Sequence, residues 1–194
     1  MDDEDLRETV VGTEILHHGR LGDLRIDTVR FRDGRESTRE ILSHPGAVAI
    51  VALDPQDRVL LVRQWRTAAA QVLLEIPAGT LDLIDPVART IEDPASAAPR
   101  ELEEETGYRA RTWRKLAAFW TVPGFATELM HLYLATDLSP AHGDRLGPGQ
   151  PDELEPFIFI RAEAVAAVER GEICDAKSMV GLYWLARLKL SGQA

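Results

Sequence analysis

A mixed α/β sandwich is the fold this chain predicts, and three features predict it. Short apolar runs of strand length, rich in Val, Leu and Ile, lie on both sides of a single acidic helical segment. That segment carries Glu101, Glu103, Glu104 and Glu105 and stops at Gly107. Helical patterns then close the chain. Strands interrupted by one helix and finished by others are the raw material of a sheet covered on both faces.

The elements follow in order. Residues 1–8 are mostly charged and read as a frayed tail. Residues 13–18 and 24–31 read as strands, the second ending at the turn Arg32-Asp33-Gly34, and 36–43 is the return strand of a hairpin. The runs 46–53 and 59–65, joined by Asp54-Pro55-Gln56-Asp57, read as central strands. A short strand over 72–76 delivers the chain to a tight turn at Ile76-Pro77-Ala78-Gly79. The acidic helix starts between 94 and 97, with some local distortion expected at its beginning, because Pro99 would be harmless in a first turn but disruptive deeper inside. Strands over 113–121 and 129–136 follow, with Trp120 and Phe125 read as core. Residues 142–151, rich in Gly and Pro, form a surface loop; 157–160 is a last strand, and 162–170 and 177–190 are helices. There is no internal repeat and no low-complexity tract.

Composition bounds the function. A chain of 194 residues suits one domain with a small appended element, divided here into 1–43 and 44–194. A net charge of -10 argues against a nucleic-acid partner, because phosphate backbones reward clustered Lys and Arg. No run approaches the roughly 18 apolar residues of a membrane span, and the N-terminus is acidic rather than signal-like. The lone Cys174 excludes an internal disulfide and fits a reducing cytoplasm; with no histidine near it in sequence it reads as a small filler.

The chemistry is concentrated in Arg100-Glu101-Leu102-Glu103-Glu104-Glu105-Thr106-Gly107-Tyr108. On a helix, Glu101, Glu104 and Glu105 project together, and like charges at that spacing repel. A hard divalent cation that prefers carboxylates, Mg²⁺ or in its place Mn²⁺, would relieve that repulsion. A solvated acidic face would look the same in isolation, and Glu103 is best read that way. The surroundings decide the matter: Gly79, then Glu92, then Arg-Glu-Leu-x-Glu-Glu-x-Gly-Tyr resembles the box of the Nudix hydrolases, a loop–helix–loop for diphosphate hydrolysis. From Glu92 to Tyr108 every fixed position matches. The family's first glycine normally lies six positions before the glutamate, where this chain has Pro86, so Gly79 fits only with about seven residues inserted within 81–91. Surface loops accept such lengthening cheaply, and Asp82, Asp85 and Pro86 read as turn residues.

Five segments make the chain similar to the ADP-ribose pyrophosphatase branch: Val62-Arg63-Gln64-Trp65-Arg66, Glu75-Ile76-Pro77-Ala78-Gly79, Pro123-Gly124-Phe125 with Pro123 sixteen positions after Gly107, Asp152-Glu153, and Gly171 to Lys177. The resemblance covers about residues 13–190. It implies the Nudix fold, metal ligation by Glu101, Glu104, Glu105 and the Ala78 carbonyl, and an Arg100 that fixes a glutamate rotamer. It further implies that Arg66 grips the diphosphate, that Arg39 and Glu40 serve the adenine end, and that Gly79 and Pro123 border the substrate. Glu153 is the carboxylate expected to activate water, with Glu155 as runner-up. The implied whole is a Mg²⁺-dependent homodimer, its N-terminal hairpin exchanged with the partner, that cuts ADP-ribose to AMP and ribose 5-phosphate. Some relatives stack adenine on an aromatic where this chain has Gly19-Arg20-Leu21-Gly22-Asp23-Leu24; a leucine could still sandwich a base, but the resemblance then argues less strongly for adenine. Alternatives are GDP-mannose or another nucleoside diphosphate sugar, a flavin or dinucleotide diphosphate, or a sensor that binds ADP-ribose uncut. The retained glutamates, and a chain too short for an added winged helix, count against the sensor.

Overall fold

The computed structural model describes residues 3–85, 88, 90–141 and 155–190, in two compact units: Met1–Gly46 with Trp120–Leu129, and Ala47–Phe119 with Met130–Ala194. The expected loop over 142–151, Glu153 and Pro86 lie outside the described residues.

The first unit is a three-stranded antiparallel sheet in the order β1 (Thr9–Gly19), β2 (Gly22–Arg30), β3 (Glu36–Leu42). Its middle strand carries a buried Asp27, which is satisfied by the Thr13 hydroxyl at 2.7 Å and the Arg25 guanidinium at 3.0 Å. The segment around Pro123 belongs here because its backbone pairs with the end of β3: the Leu42 amide donates to the Phe125 carbonyl at 2.8 Å and the Thr127 amide to the Leu42 carbonyl at 3.0 Å. Trp120 and Phe125 are not core residues; they are 55% and 57% exposed. Phe125 sits in a turn held by backbone bonds to Val122, and Trp120 is the last residue of its strand, so neither has a layer to pack under.

The second unit is built on β4 (Ala47–Leu53), every residue of which is buried. Its alternation assigns the two layers, because side chains i and i+2 share a face. Ala47, Ala49, Val51 and Leu53 join one core with residues of α2 (Arg161–Glu169) and α3 (Ala176–Leu190). Val48, Ile50 and Ala52 join a second core with Ala97, Ala98 and Leu102 of α1 (Pro94–Thr106). Helices therefore cover both faces, as expected of the sandwich. β4 pairs in parallel with β11 (Leu129–Pro140), which is followed at the sheet edge by β10 (Tyr108–Trp120). β10 begins five residues before the predicted 113, because Arg109 and Arg111 alternate outward and mask the apolar signal. On the other side β4 pairs with β5 (Arg58–Arg66) only through Ala52–Leu60 and Leu53–Val59. The two strands then splay. β6 (Gln71–Glu75) continues along β5, β7 (Ala78–Thr80) continues along β4, and β12 (Glu155–Ile160) also pairs with β5.

The inserted residues form a separate ribbon, β8 (Leu83–Asp85) with β9 (Thr90–Ile91), closed at its base by the Glu92 amide donating to the Asp82 carbonyl at 2.8 Å. Because the insert closes on itself, Glu92 re-enters at the start of α1 and the spacing of the helix is undisturbed.

Candidate active site

The chain crosses from β6 to β7 where β4 and β5 part. Two hydrogen bonds fix that crossing: the Ile50 amide donates to the Pro77 carbonyl and the Ile76 amide to the Ser178 hydroxyl, both at 2.8 Å. α1 lies against it. Pro94 opens this helix, where its missing amide costs nothing, and Gly107 ends it at φ 73°, donating to the Glu103 carbonyl at 2.8 Å. Pro99 stands inside, in the second turn, and the helix continues through it.

The buried face of α1 reads Ala97, Ala98, Glu101, Leu102, Glu105, Thr106. Two carboxylates thus occupy positions that apolar side chains would ordinarily fill. Glu105 accepts the Ala78 amide at 3.0 Å. Glu101 lies so close to Gly79 that a Cβ there would sit 1.9 Å from its carboxyl carbon, so any larger residue would displace that carboxylate. The Ala78–Gly79 step and the glutamates one helical turn apart are therefore one construction.

Arg100 ties the construction together. It forks Glu92 at 3.2 and 2.6 Å and reaches Glu101 at 2.8 Å and Glu104 at 3.1 Å. Asp82, at the base of the inserted ribbon, lies 3.6 Å away. The Glu92 carboxyl is held below its usual range by the Arg100 bonds, which outweigh burial. Glu101 and Glu105 move the other way. Burial pushes Glu101 up to about 6 despite Arg100, with the Glu104 charge adding to the rise. Burial pushes Glu105 up to about 8, with the Glu101 charge adding and the Ala78 bond opposing. Glu103 is half-buried and pairs with Arg109 at 2.6 Å, away from Arg100 and the other glutamates.

A second cluster flanks the first. Arg66 forks Glu75 through Nε at 2.8 Å and Nη2 at 2.6 Å. Lys177 bonds the same Glu75 oxygen, and also Asp175 at 2.8 Å. Glu75 is 1% exposed; burial raises its pKa, but Arg66 and Lys177 outweigh this and hold it ionised. Arg66 and Lys177 also act favourably on the Glu105 charge, so the two clusters share one field. Glu75, Asp175 and Lys177 received no role from the sequence, although a single charge inside the apolar run Val72-Leu73-Leu74-Glu75-Ile76 was a usable signal.

The other nominated residues lie in the first unit. Glu40 is exposed on β3; Arg39 bonds Glu8 and lies 5.7 Å from the Phe31 ring centre; Pro123 is in the turn that pairs with Leu42. The side chain of Glu155 is not among those described. No three acidic or histidine side chains among the described residues converge closely enough, as they stand, to hold a metal ion. Glu101 and Glu104 are drawn to Arg100 and Glu105 to an amide. The donor chemistry nonetheless suits a hard cation: buried carboxylates that burial holds toward the neutral form would gain from a divalent charge.

Residues 43–179 match the family model for the NUDIX domain. The chain belongs to the Nudix family. It is 37% identical over 97% of both chains to the ADP-ribose pyrophosphatase of Bacillus subtilis (strain 168). It is 38% identical to the ADP-ribose pyrophosphatase of Mycobacterium tuberculosis, over 89% of this chain and 80% of that one. A crystal structure of an ADP compounds hydrolase superposes with a TM-score of 0.78 over 97% of both chains at 24% identity, which speaks for the Nudix fold alone. The chain is thus a Nudix hydrolase, with its box on α1 and the Ala78–Gly79 step.

Proposed function

We propose that the protein hydrolyses ADP-ribose to AMP and ribose 5-phosphate, using a divalent cation, Mg²⁺ first. The observation that carries this reading is the burial of Glu101 and Glu105 against Ala78–Gly79, a cost that a bound cation would offset. Glu101, Glu104, Glu105 and the Ala78 carbonyl would hold the cation. Bound there, it supplies neutralisation of the diphosphate charge and a lower pKa for an attacking water. The planar guanidinium of Arg66, held in a fixed orientation by Glu75, suits paired oxygens of a diphosphate. Glu153, with Glu155 as the runner-up, takes the proton of the water as it attacks one phosphorus; the bond from that phosphorus to the bridging oxygen breaks, and the oxygen leaves with the other product.

ADP-ribose is favoured over other diphosphates by the two ADP-ribose pyrophosphatases above and by Pro123 in its turn. Arg39, Glu40, Gly79 and Pro123 are the residues we assign to substrate contact. A homodimer fits the exposed edge strand β1, and the acidic, single-cysteine chain fits a cytoplasmic setting. No helix among the described residues is long and apolar enough to cross a membrane.

Turnover of ADP-ribose and GDP-mannose, each with Mg²⁺ and with EDTA, tests the reading. AMP released from ADP-ribose in Mg²⁺ alone is the expected result. Preference for GDP-mannose would keep the chemistry and overturn the substrate. Tight binding of ADP-ribose without cleavage would make the protein a sensor.

A further inference from the structure

We propose that Lys177 is a positioning residue for Arg66: by sharing the Glu75 carboxylate it sets both the orientation of the Arg66 guanidinium and the positive charge left on it for a diphosphate. The inference rests on the functional reading above, and on charge balance inside one buried cluster.

Four charged groups meet between β5, β6 and the start of α3: Arg66, Glu75, Asp175 and Lys177. The two cations and two anions sum to zero. Glu75 is deeply buried, so both of its oxygens must be matched; one accepts from Arg66 Nε, and the other is shared between Arg66 Nη2 and Lys177 Nζ. Lys177 is itself only 12% exposed, so it is a fixed member of the cluster and not a surface charge. Its second partner, Asp175, also accepts the Ser178 amide at 3.2 Å, three residues on, which is the geometry of a helix N-cap. The same Ser178 hydroxyl accepts the Ile76 amide one residue after Glu75. The start of α3 therefore holds both the backbone and the carboxylate against which Arg66 is aligned.

Without Lys177 the cluster would keep two carboxylates and one guanidinium. Arg66, which already feels both Glu75 and Asp175, would be over-neutralised and drawn toward them, away from an anionic substrate. The loss should therefore fall on substrate binding. If Lys177 served only to hold the fold, its loss would reduce stability and the active fraction while leaving KM unchanged.

The experiment measures kcat and KM for ADP-ribose with Mg²⁺, and thermal stability, in wild type, Lys177→Met, Lys177→Arg, and the pair Lys177→Met with Asp175→Asn. The pair restores charge balance while keeping a capping side chain. We expect KM to rise about tenfold in Lys177→Met with a smaller change in kcat, to return most of the way in Lys177→Arg, and to recover in the pair. In an Arg66→Gln background, Lys177→Met should add little to KM, because it acts through Arg66. An unchanged KM in Lys177→Met, no recovery in the pair, or full additivity with Arg66→Gln would each overturn the inference. Should wild type fail to cleave ADP-ribose, the functional reading falls and this inference with it; should wild type cleave normally and the variants fail these expectations, only the role of Lys177 falls.

Discussion

Glu105 is the residue on which most of the physics converges, since it is 8% exposed, ionisable and placed one turn after another buried carboxylate. Its folded pKa, about 8, lies above the ordinary 4.5, so the folded protein without metal holds this proton more tightly than the unfolded chain. The stability so contributed is fully present below about pH 4.5 and is lost as pH rises through about 8; Glu101 adds a smaller loss, between about 4.5 and about 6. Thermal melts in EDTA should therefore fall steadily from pH 5 to 8, on the order of a few kcal/mol in total. Saturating Mg²⁺ should flatten or reverse the fall, because cation binding displaces those protons. Glu105→Gln should remove the upper part of the decline and leave the part that belongs to Glu101. It should also lower Mg²⁺-dependent turnover by about a hundredfold or more; turnover close to wild type would remove Glu105 from the metal site. Gly79→Ala offers a steric counterpart. Its new Cβ would lie 1.9 Å from the Glu101 carboxyl carbon, so the carboxylate must swing away. Activity should drop by roughly tenfold or more while the melting temperature changes little, since the displaced group is a side-chain end.

Among the elements, α1 was the most legible, because everything that defines it is local: Pro94 and Gly107 as its limits, the spacing of Glu101, Glu104 and Glu105, and Arg100 just before them. The strands of the central sheet were legible for a similar reason, as continuous apolar runs such as Ala47–Leu53 announce burial on both faces. What could not be read was pairing at long range. Lys177 meets Glu75 across 102 residues, and nothing in either neighbourhood names the other. Apolarity misled at Trp120 and Phe125, because it reports what a side chain prefers and not whether a layer exists to cover it. The insert was legible only as extra length; that it pairs into β8 and β9 follows from the Asp82–Glu92 backbone closure. That closure makes a prediction proper to an element. Replacing residues 83–91 by a short Gly-containing turn between Asp82 and Glu92 should leave unfolding free energy within about 1 kcal/mol of wild type. Denaturant titration checks this, and a larger loss would mean that the ribbon braces α1 through Asp82 and Arg100.

At the scale of the whole molecule, two facts stand against a simple monomer acting on an anion. The chain carries a net charge of -10, so under the proposed function attraction for a diphosphate would have to be local, from Arg66 and a bound cation rather than from the overall field. The other fact is β1, eleven residues long and exposed throughout, with Val10, Val11, Ile15 and Leu16 among its open side chains. Edge strands are normally blunted by charge, brevity or bulges, because their free backbone groups recruit other strands. This one has bulges near Val11 and Leu16, yet its apolar residues remain exposed on both faces. A second copy of the chain is the covering that the proposed function calls for, since a two-fold pairing would bury the same patch on both protomers. Val11→Lys with Ile15→Lys should therefore halve the solution mass measured by light scattering, because two charges on an edge strand oppose its burial. If the exchanged hairpin also completes the substrate site, KM for ADP-ribose should rise in the same variant while the pH trend of the metal-free melt, which belongs to Glu101 and Glu105 in the other unit, keeps its slope. A variant with unchanged mass would move the interface elsewhere on the molecule, and a monomer with unchanged KM would separate dimerisation from the site.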